Sequence, residues 1–225
     1  MPQKKRISVN LQSLSASDAQ ALIGLLSKVA GGEATARKAR KRRAQEKDKH
    51  LTQEEITRLF SVITSPRDAA IFRLAYHRGL RASEVGRLQL SDVRLKDDRI
   101  QFERLKGSNG GLYHLCASEL KALRAWLRVR GNEPGPLFPS REGRGISQQM
   151  LDVLMKRYGA AAGIPADKRH MHVLKHSCAT HLLERGESIE DVQDHLGHRN
   201  IQNTQIYARF TNNRRQARDK RLRDW

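Results

Sequence analysis

Four segments of this sequence carry arginine, lysine, histidine and tyrosine side chains, the residue types that bind and attack phosphate. In the first segment, RGLRASEV, Arg81 stands directly before the expected start of a helix that also carries Glu84. A guanidinium at such a position presents a planar fork that matches two phosphate oxygens. Taken alone this is a weak indication, because most such arginines are surface residues.

The second segment is a glycine-rich turn preceded by a lysine. Lys106 ends an expected strand and enters the turn Gly107–Gly111. A lysine at a hairpin tip can enter a DNA groove and donate a proton there. Without other evidence, a solvated turn lysine is the simpler interpretation.

The third segment, HMHVLKHSCATHLLERG, places His172, Lys175 and His176 at helical spacings of three and four residues, so their side chains share one face. Histidines four residues apart also occur in zinc sites. Here, however, valine follows the first histidine where a zinc protease has its glutamate base, and no third ligand stands at a familiar spacing. The pattern therefore disfavours a metal site, and an ordinary helix with core or capping histidines remains the alternative.

The fourth segment, DHLGHRNIQNTQIYARF, has His198 directly after a helix-ending glycine and Tyr207 nine residues later on a short amphipathic stretch. A tyrosine in such a place is normally a core or rim residue, so Tyr207 alone does not indicate a nucleophile. The order of the four segments along the chain is more informative than any one of them.

Together, GLRASE, the hairpin lysine, HVLKHSCATHLLERG and LGHRNIQNTQIY resemble the catalytic domain of the tyrosine recombinases, the phage integrase type, over about residues 51–209. The resemblance implies that Arg81 is an active-site arginine supported by Glu84, and that Tyr207 is the nucleophile. It implies active-site roles for four further residues and a supporting role for one neighbour: Lys106, His172, Lys175 and His198, with His176 in support.

The implied reaction requires no metal ion, ATP or other cofactor. The tyrosine hydroxyl attacks a scissile phosphate, forms a 3′-phosphotyrosyl bond and releases a 5′-hydroxyl, and a 5′-hydroxyl from a partner strand reverses the step. Fixed cations and imidazole donors stabilise the negative charge that gathers on the pentacoordinate phosphate. We expect His172 to act in acid–base transfer, Lys106 to protonate the leaving oxygen and His198 to hydrogen-bond a non-bridging oxygen.

Two features depart from the family pattern. Lys175 occupies the place where the family most often has its second arginine, and a lysine contacts phosphate as a point charge rather than through a fork. Either the site tolerates this lysine, or the protein is a catalytically weakened DNA-binding protein on the same fold. In addition, residues 1–50 are too few for the separate DNA-clamping domain of larger members, so the chain resembles small recombinases such as those of fimbrial phase switching.

The elements expected to position these residues are mainly helices. Thr52 and Glu55 form a capping box at the start of the first helix, Pro66 opens a second, and Ser83 is expected to cap a third. Turns at Asp97-Asp98 and Gly107–Gly111 separate alternating apolar runs and predict a small antiparallel sheet of three strands. Five further helices are expected over about 118–130, 147–162, 173–185, 188–196 and 202–209. The predicted fold class is therefore mainly α with a small three-stranded antiparallel sheet, the DNA breaking–rejoining fold of tyrosine recombinases.

The composition favours a nucleic-acid partner. The 225 residues include 43 Lys and Arg against 24 Asp and Glu, a formal net charge of +19, and such an excess is typical of proteins that contact phosphate. Aromatic residues make up only 5%, which disfavours stacking on single-stranded bases and favours double-stranded DNA. Charge alone leaves open a basic ribosomal or chromatin-type protein without chemistry.

The sequence also bears on location. No apolar run approaches the roughly 18 residues that a membrane span needs, and the start of the chain does not have the pattern of a signal peptide. The two cysteines form no Cys-x-x-Cys pattern and fit a reducing compartment. We therefore expect a cytoplasmic protein associated with the nucleoid, with no membrane partner and no small-molecule substrate.

Three regions are expected along the chain. Residues 1–50 form a basic helix and arm, residues 51–210 the catalytic domain, and residues 211–225 a basic C-terminal tail. Six cations of the arm are expected to bind DNA phosphate, with a solvated helix or linker as the alternative: Arg37, Lys38, Arg40, Lys41, Arg42 and Arg43. The resemblance further implies that the protein assembles as a tetramer on DNA and acts for a phage, another mobile element or a chromosome.

Overall fold

The computed structural model describes residues 50–104, 110–208 and 223, which all belong to one structural unit, Asp48–Trp225. The six cations of the N-terminal arm, Lys106 and all of the C-terminal tail except residue 223 lie outside the described residues, so the predictions made for them stay predictions. The described residues form eight α-helices and one small sheet.

Three short helices open the domain: α1 (Gln53–Ser61), α2 (Pro66–His77) and α3 (Ala82–Arg87). The predicted capping box at Thr52 and Glu55 is confirmed, since each side chain accepts the other residue's backbone N–H. The prediction that Ser83 caps α3 was wrong. Arg81 is the N-cap residue, and Ser83 is the second residue inside the helix, so its hydroxyl is not at the capping position. The backbone N–H of Arg81 is bonded to the carboxylate of Glu84 at 2.7 Å.

The predicted sheet is confirmed, with three antiparallel strands in sequence order: β1 (Val93–Arg94), β2 (Arg99–Phe102) and β3 (Gly111–His114). Asp98 takes the positive φ of 51° that the tight turn before β2 requires. Ile100 and Phe102 on β2 point into the core, and the Phe102 ring stacks on Tyr113 of β3 with centroids 4.5 Å apart. The inward face of β2 thus packs on the helical part of the domain.

Five helices follow the sheet, close to their predicted bounds: α4 (Ala117–Arg130), α5 (Gln148–Ala161), α6 (His172–Glu184), α7 (Ile189–Leu196) and α8 (Gln202–Ala208). Ser147 caps α5 and Ser188 caps α7. Within the described residues, no helix is both long and apolar enough to cross a bilayer.

Two groups of buried apolar side chains hold the described part of the domain together. The larger packs α1–α6 and the sheet, and the smaller packs α6 against α7 and α8. Helix α6 contributes to both, with Val173 and Leu174 in the larger group and Cys178 and Leu183 in the smaller. The face that carries the predicted catalytic residues of α6 therefore lies where the two groups meet.

Candidate active site

The site is built where α2 and α7 end. After α2 the chain turns at Gly79 (φ 56°), and after α7 it turns at Gly197 (φ 62°), a left-handed conformation that glycine adopts without steric cost. The two turns approach closely, because a Cβ added to Gly79 would lie 2.4 Å from a methyl carbon of Leu196. Each turn leads within two residues to a predicted site residue.

The turn after α2 leads to Arg81, whose guanidinium is held by a buried carboxylate. Glu84 is 2% exposed and accepts a hydrogen bond from Arg81 Nη1 at 2.8 Å. Burial alone raises the pKa of Glu84, but the hydrogen bonds from Arg81 and the nearby charges of Lys175 and Arg104 outweigh it and leave the pKa below its ordinary value. Glu84 therefore remains ionised, and Arg81 stays partly exposed with a fixed orientation.

Lys175 lies deeper than its predicted role suggested. It is 1% exposed, and its ammonium donates to the backbone carbonyls of Gly79 at 2.9 Å and Leu196 at 3.0 Å. Burial lowers the pKa of Lys175 to about 7, aided by the charges of Arg104 and Arg81 and opposed by Glu84. A neutral amine retains two N–H bonds, so both carbonyl contacts persist in either protonation state.

The turn after α7 leads to His198. Its Nδ1 is hydrogen-bonded to the hydroxyl of Thr204 at 2.9 Å, which ties the ring to the start of α8. Burial lowers the pKa of His198 to about 4, and the charges of Lys175, Arg81 and Arg104 act in the same direction. The imidazole is neutral at pH 7 and has one N–H to donate to a ligand or to Thr204.

His172, His176 and Tyr207 form a row of rings across α6 and α8. The ring centroids of His172 and His176 are 4.5 Å apart, and those of His176 and Tyr207 are 5.4 Å apart. His172 is exposed at the start of α6, and partial desolvation, with the charge of Lys175 next, lowers its pKa. Tyr207 is 4% exposed, and burial raises the pKa of its phenol, so the hydroxyl is protonated at neutral pH.

Sequence reasoning missed Arg104, which lies at the centre of the site. Its side chain is fully buried, and it is 3.9 Å from the Glu84 carboxylate and within hydrogen-bonding distance of four backbone carbonyls. A signal for it was present: Ile100, Phe102 and Arg104 alternate, so the arginine continues the inward face of β2.

Six of the predicted site residues thus come together in the described structure: Arg81, His172, Lys175, His176, His198 and Tyr207. The Glu84 carboxylate bonds Arg81 and acts electrostatically on His172, Lys175 and His198. Tyr207 joins the group through the His176 ring and the charge of Arg81. Within residues 50–104 and 110–208, no group of three or more His, Cys, Asp and Glu side chains has an arrangement that fits a metal ion. The described site is an array of cations and neutral imidazoles beside one phenol. Such an array suits an anionic ligand.

Comparison with known proteins gives the family. The sequence profile of the phage integrase family matches residues 49–214. The chain belongs to the phage integrase family. This confirms the resemblance found from the four segments, and it confirms the fold class with it.

Curated relatives of this integrase-family chain are named as recombinases and as regulators of fimbriae. Tyrosine recombinase XerA of Thermococcus onnurineus (strain NA1) is 38% identical over 168 residues, which cover 72% of this chain and 58% of the relative. Type 1 fimbriae regulatory protein FimE of Escherichia coli (strain K12) is 34% identical over 171 residues, which cover 72% of this chain and 86% of the relative. The match thus spans somewhat over half of XerA and most of FimE.

Solved structures agree with these sequence matches. The crystal structure of XerA recombinase superimposes with a TM-score of 0.67 at 28% identity, covering 77% of this chain and 65% of that one. XerH site-specific recombinase bound to its difH substrate superimposes with a TM-score of 0.61 at 26% identity, covering 71% of this chain and 49% of that one. Both are recombinases of the mainly helical fold described above.

Proposed function

We propose that this protein is a tyrosine-type site-specific DNA recombinase that cuts and rejoins double-stranded DNA through a 3′-phosphotyrosyl intermediate at Tyr207. The observation that carries the proposal is the convergence of Arg81, Lys175, His198 and Tyr207, which come from three of the four segments, with the charge of Arg81 acting on each of the other three. Local sequence does not bring these residues together. Their chemical types, fixed cations beside an imidazole and a phenol, are those that bind and attack a phosphate.

In the proposed cleavage step, the Tyr207 oxygen forms a bond to the scissile phosphorus and the bond from phosphorus to the 5′ oxygen breaks. The phenol proton passes to His172, which is neutral before the reaction because its pKa is lowered. Lys106 gives a proton to the departing 5′ oxygen. Attack by a 5′-hydroxyl of another strand reverses both transfers and releases the tyrosine, so the DNA bond energy is conserved.

The charges of the site have a direct role in this step. Negative charge accumulates on the non-bridging oxygens of the pentacoordinate phosphate, and donors fixed in a dry site stabilise it more than water does. Arg81 supplies a fork oriented by Glu84, and His198 supplies an imidazole N–H. Lys175 lies close enough for its charge to act on both groups, and the negative charge of a bound phosphodiester raises the pKa of Lys175, so DNA binding favours the protonated lysine.

The assembly and setting follow from the same proposal. We propose that four protomers synapse two duplexes, that the arm at Arg37–Arg43 and the tail at residues 211–225 add contacts beyond the catalytic domain, and that the protein acts at the nucleoid on a mobile element. Relatives named for recombination and for regulation of fimbriae support a DNA rearrangement as the outcome.

A covalent-adduct assay tests the proposal. The protein is incubated with supercoiled plasmid that carries the DNA flanking its gene, and with a nicked duplex that traps the cleaved strand, and the reaction is stopped with SDS. We expect an adduct that survives denaturation, is lost in Tyr207→Phe and persists in Tyr113→Phe, which also removes a phenol hydroxyl from a ring stacked on β2. An adduct that survives Tyr207→Phe contradicts the assignment of the nucleophile.

A second function is favoured by one observation. The ammonium of Lys175 is directed at the carbonyls of Gly79 and Leu196 and is not exposed, which suits a catalytically weakened DNA-binding protein. Lys175→Arg separates the two functions in the same assay. A large gain in adduct supports the weakened protein, whereas no gain or a loss supports a site that works with lysine.

A further inference from the structure

Arg104 makes an unusual set of contacts for an arginine that follows a strand. Nη1 donates to the carbonyls of Gly79 at 3.5 Å and Leu196 at 2.8 Å, and Nη2 donates to the carbonyls of Arg78 at 2.9 Å and His195. Each terminal nitrogen therefore joins one carbonyl from the end of α2 to one carbonyl from the end of α7. The fork bridges the two helix ends twice.

The physical reason for an arginine here lies in the helix ends themselves. The last carbonyls of a helix have no partner within it and carry the negative end of the helix dipole, so two C-terminal ends do not pack together in a dry site without a cation and donors between them. A guanidinium supplies both in one rigid plane. The ring centroids of Phe102 and Tyr113 lie 5.1 and 5.9 Å from Cζ of Arg104, so the two rings restrict the guanidinium on the side of the sheet.

The two bridged helix ends are the ones that carry site residues. Arg81 follows Gly79 by two residues, and His198 follows Leu196 by two residues. We propose that Arg104 is a positioning residue of the strand-transfer site, whose guanidinium clamps the end of α7 to the end of α2 and so sets the distance between His198 and Arg81. This inference rests on the proposed function and adds to it a residue that touches neither DNA nor the reacting atoms.

Lys175 makes part of the same bridge but cannot replace it. Its amine contacts the carbonyls of Gly79 and Leu196 and leaves those of Arg78 and His195 to Arg104. A chain without the Arg104 guanidinium therefore keeps one link between the helix ends, and we expect it to fold with the two turns less well fixed. Misplacement of a reacting group by about 1 Å costs on the order of 100-fold in rate.

Activity is tested with Arg104→Met, which removes the fork, Arg104→Lys, which keeps the charge, and Arg130→Met as a matched control. Arg130 also donates to several backbone carbonyls, those of Gly131, Glu133 and Pro136, but it lies at the end of α4. At saturating protein on a nicked duplex, we expect the rate of adduct formation to fall on the order of 100-fold in Arg104→Met, less in Arg104→Lys, and not in Arg130→Met. Duplex affinity should change less than about threefold in all three variants, because a positioning residue acts on the rate and not on binding.

A second measurement needs no activity and keeps the two proposals distinguishable. The imidazole of His198 is titrated by NMR in the DNA-free protein, where burial is the main cause of its low pKa, the charges of Lys175, Arg81 and Arg104 add to it, and Glu84 opposes them. We expect this pKa to rise from about 4 in Arg104→Lys as well as in Arg104→Met, because a loosened end of α7 admits water to the imidazole even where the charge is kept, and to stay unchanged in Arg130→Met.

A wild-type protein that forms no adduct overturns the proposed function, and the titration then decides the role of Arg104. An Arg104→Met variant that keeps the wild-type rate, or an Arg104→Met protein in which His198 titrates as in the wild type, overturns the clamp. If Arg104→Met does not fold, Arg104→Lys decides, because retention of the full wild-type rate without the double bridge contradicts the proposal.

Discussion

Single residues in this site are tuned by burial beside charge, and Lys175 is the clearest case. The pKa of Lys175 is lowered to about 7, so between pH 7 and its ordinary 10.5 the unfolded chain holds a proton that the folded chain does not. The free energy of unfolding therefore rises with pH across that interval. Below pH 7 both states are protonated, and the loss of stability that comes from burying the charged lysine is then complete.

Lys175→Met should remove this pH dependence. We expect the variant to be more stable than the wild type at pH 7, by about 1–4 kcal/mol, because Arg104 still donates to both carbonyls, and the difference to shrink towards pH 10.5. Urea unfolding across this range measures it, with the exposed Lys121→Met as the control that leaves the pH profile unchanged. A Lys175→Met protein with the wild-type profile would show that this lysine is not desolvated.

Glu84 stabilises the fold, whereas the buried charge of Lys175 destabilises it, because the Glu84 carboxylate is the anion that offsets the charges of Arg81, Arg104 and Lys175. Glu84→Gln removes one partner of a buried ion pair, and we expect the free energy of unfolding to fall by about 3–5 kcal/mol at pH 7. Asp98→Asn is the matched control, because the pair of Asp98 with Arg124 is exposed and should contribute less than about 1 kcal/mol. Equal losses in the two variants in urea unfolding would contradict this account of the site.

For single residues, the sequence predicted which side chains lie together better than how deeply each one is buried. Glu84 was expected to support Arg81, and it does hydrogen-bond it at 2.8 Å. The burial of Lys175 and the bridge made by Arg104 were not predicted, because both depend on α2 and α7 ending at the same place, which no local pattern records. The alternation at Ile100, Phe102 and Arg104 marks only which way the arginine points.

Among the elements, the turns after α2 and α7 decide the geometry, and Gly79 is where they touch. In Gly79→Ala the alanine would have to adopt a left-handed backbone conformation, and its Cβ would lie 2.4 Å from a methyl carbon of Leu196. Gly163→Ala meets a similar φ of 68° with no atom within 4 Å. We expect the control to lose about 1–2 kcal/mol from backbone strain and Gly79→Ala to lose about 1–3 kcal/mol more from overpacking.

Thermal unfolding of both alanine variants, with the adduct assay beside it, measures this difference. Gly79→Ala should also slow adduct formation, since the strained turn and the displaced Leu196 side chain disturb the junction between Arg81 and the end of α7. Adduct formation as fast as in the wild type would show that the spacing of the two turns does not matter for cleavage.

The residues at which helices start were predicted better than the places where the ends of separate helices meet. Thr52 and Glu55 form the expected box because capping depends on residues three apart. The same local logic failed at Ser83, because the helix begins one residue earlier, at Ala82, and Arg81, which Glu84 holds through its backbone and its guanidinium, takes the N-cap position. A residue used for the site thereby replaced the ordinary cap.

For the whole molecule the net charge is +19, and among the residues that the structure describes a few basic side chains lie at the site while many others are exposed. Three of the cations, Arg81, Arg104 and Lys175, surround one carboxylate, and the arm at Arg37–Arg43 is proposed to bind phosphate. Replacing all six arm cations by glutamine in the full chain should reduce the slope of log affinity against log salt by up to about 5. An unchanged slope in duplex-binding titrations would place the DNA contacts elsewhere.

The central claim is that Tyr207 becomes covalently joined to DNA. The adduct formed on a nicked duplex is digested with trypsin and nuclease, and mass spectrometry identifies the modified peptide. We predict a 3′-phosphonucleotide on Tyr207 within residues 200–209. A nucleotide on any other residue, or no modified peptide on DNA that the protein binds, would contradict it.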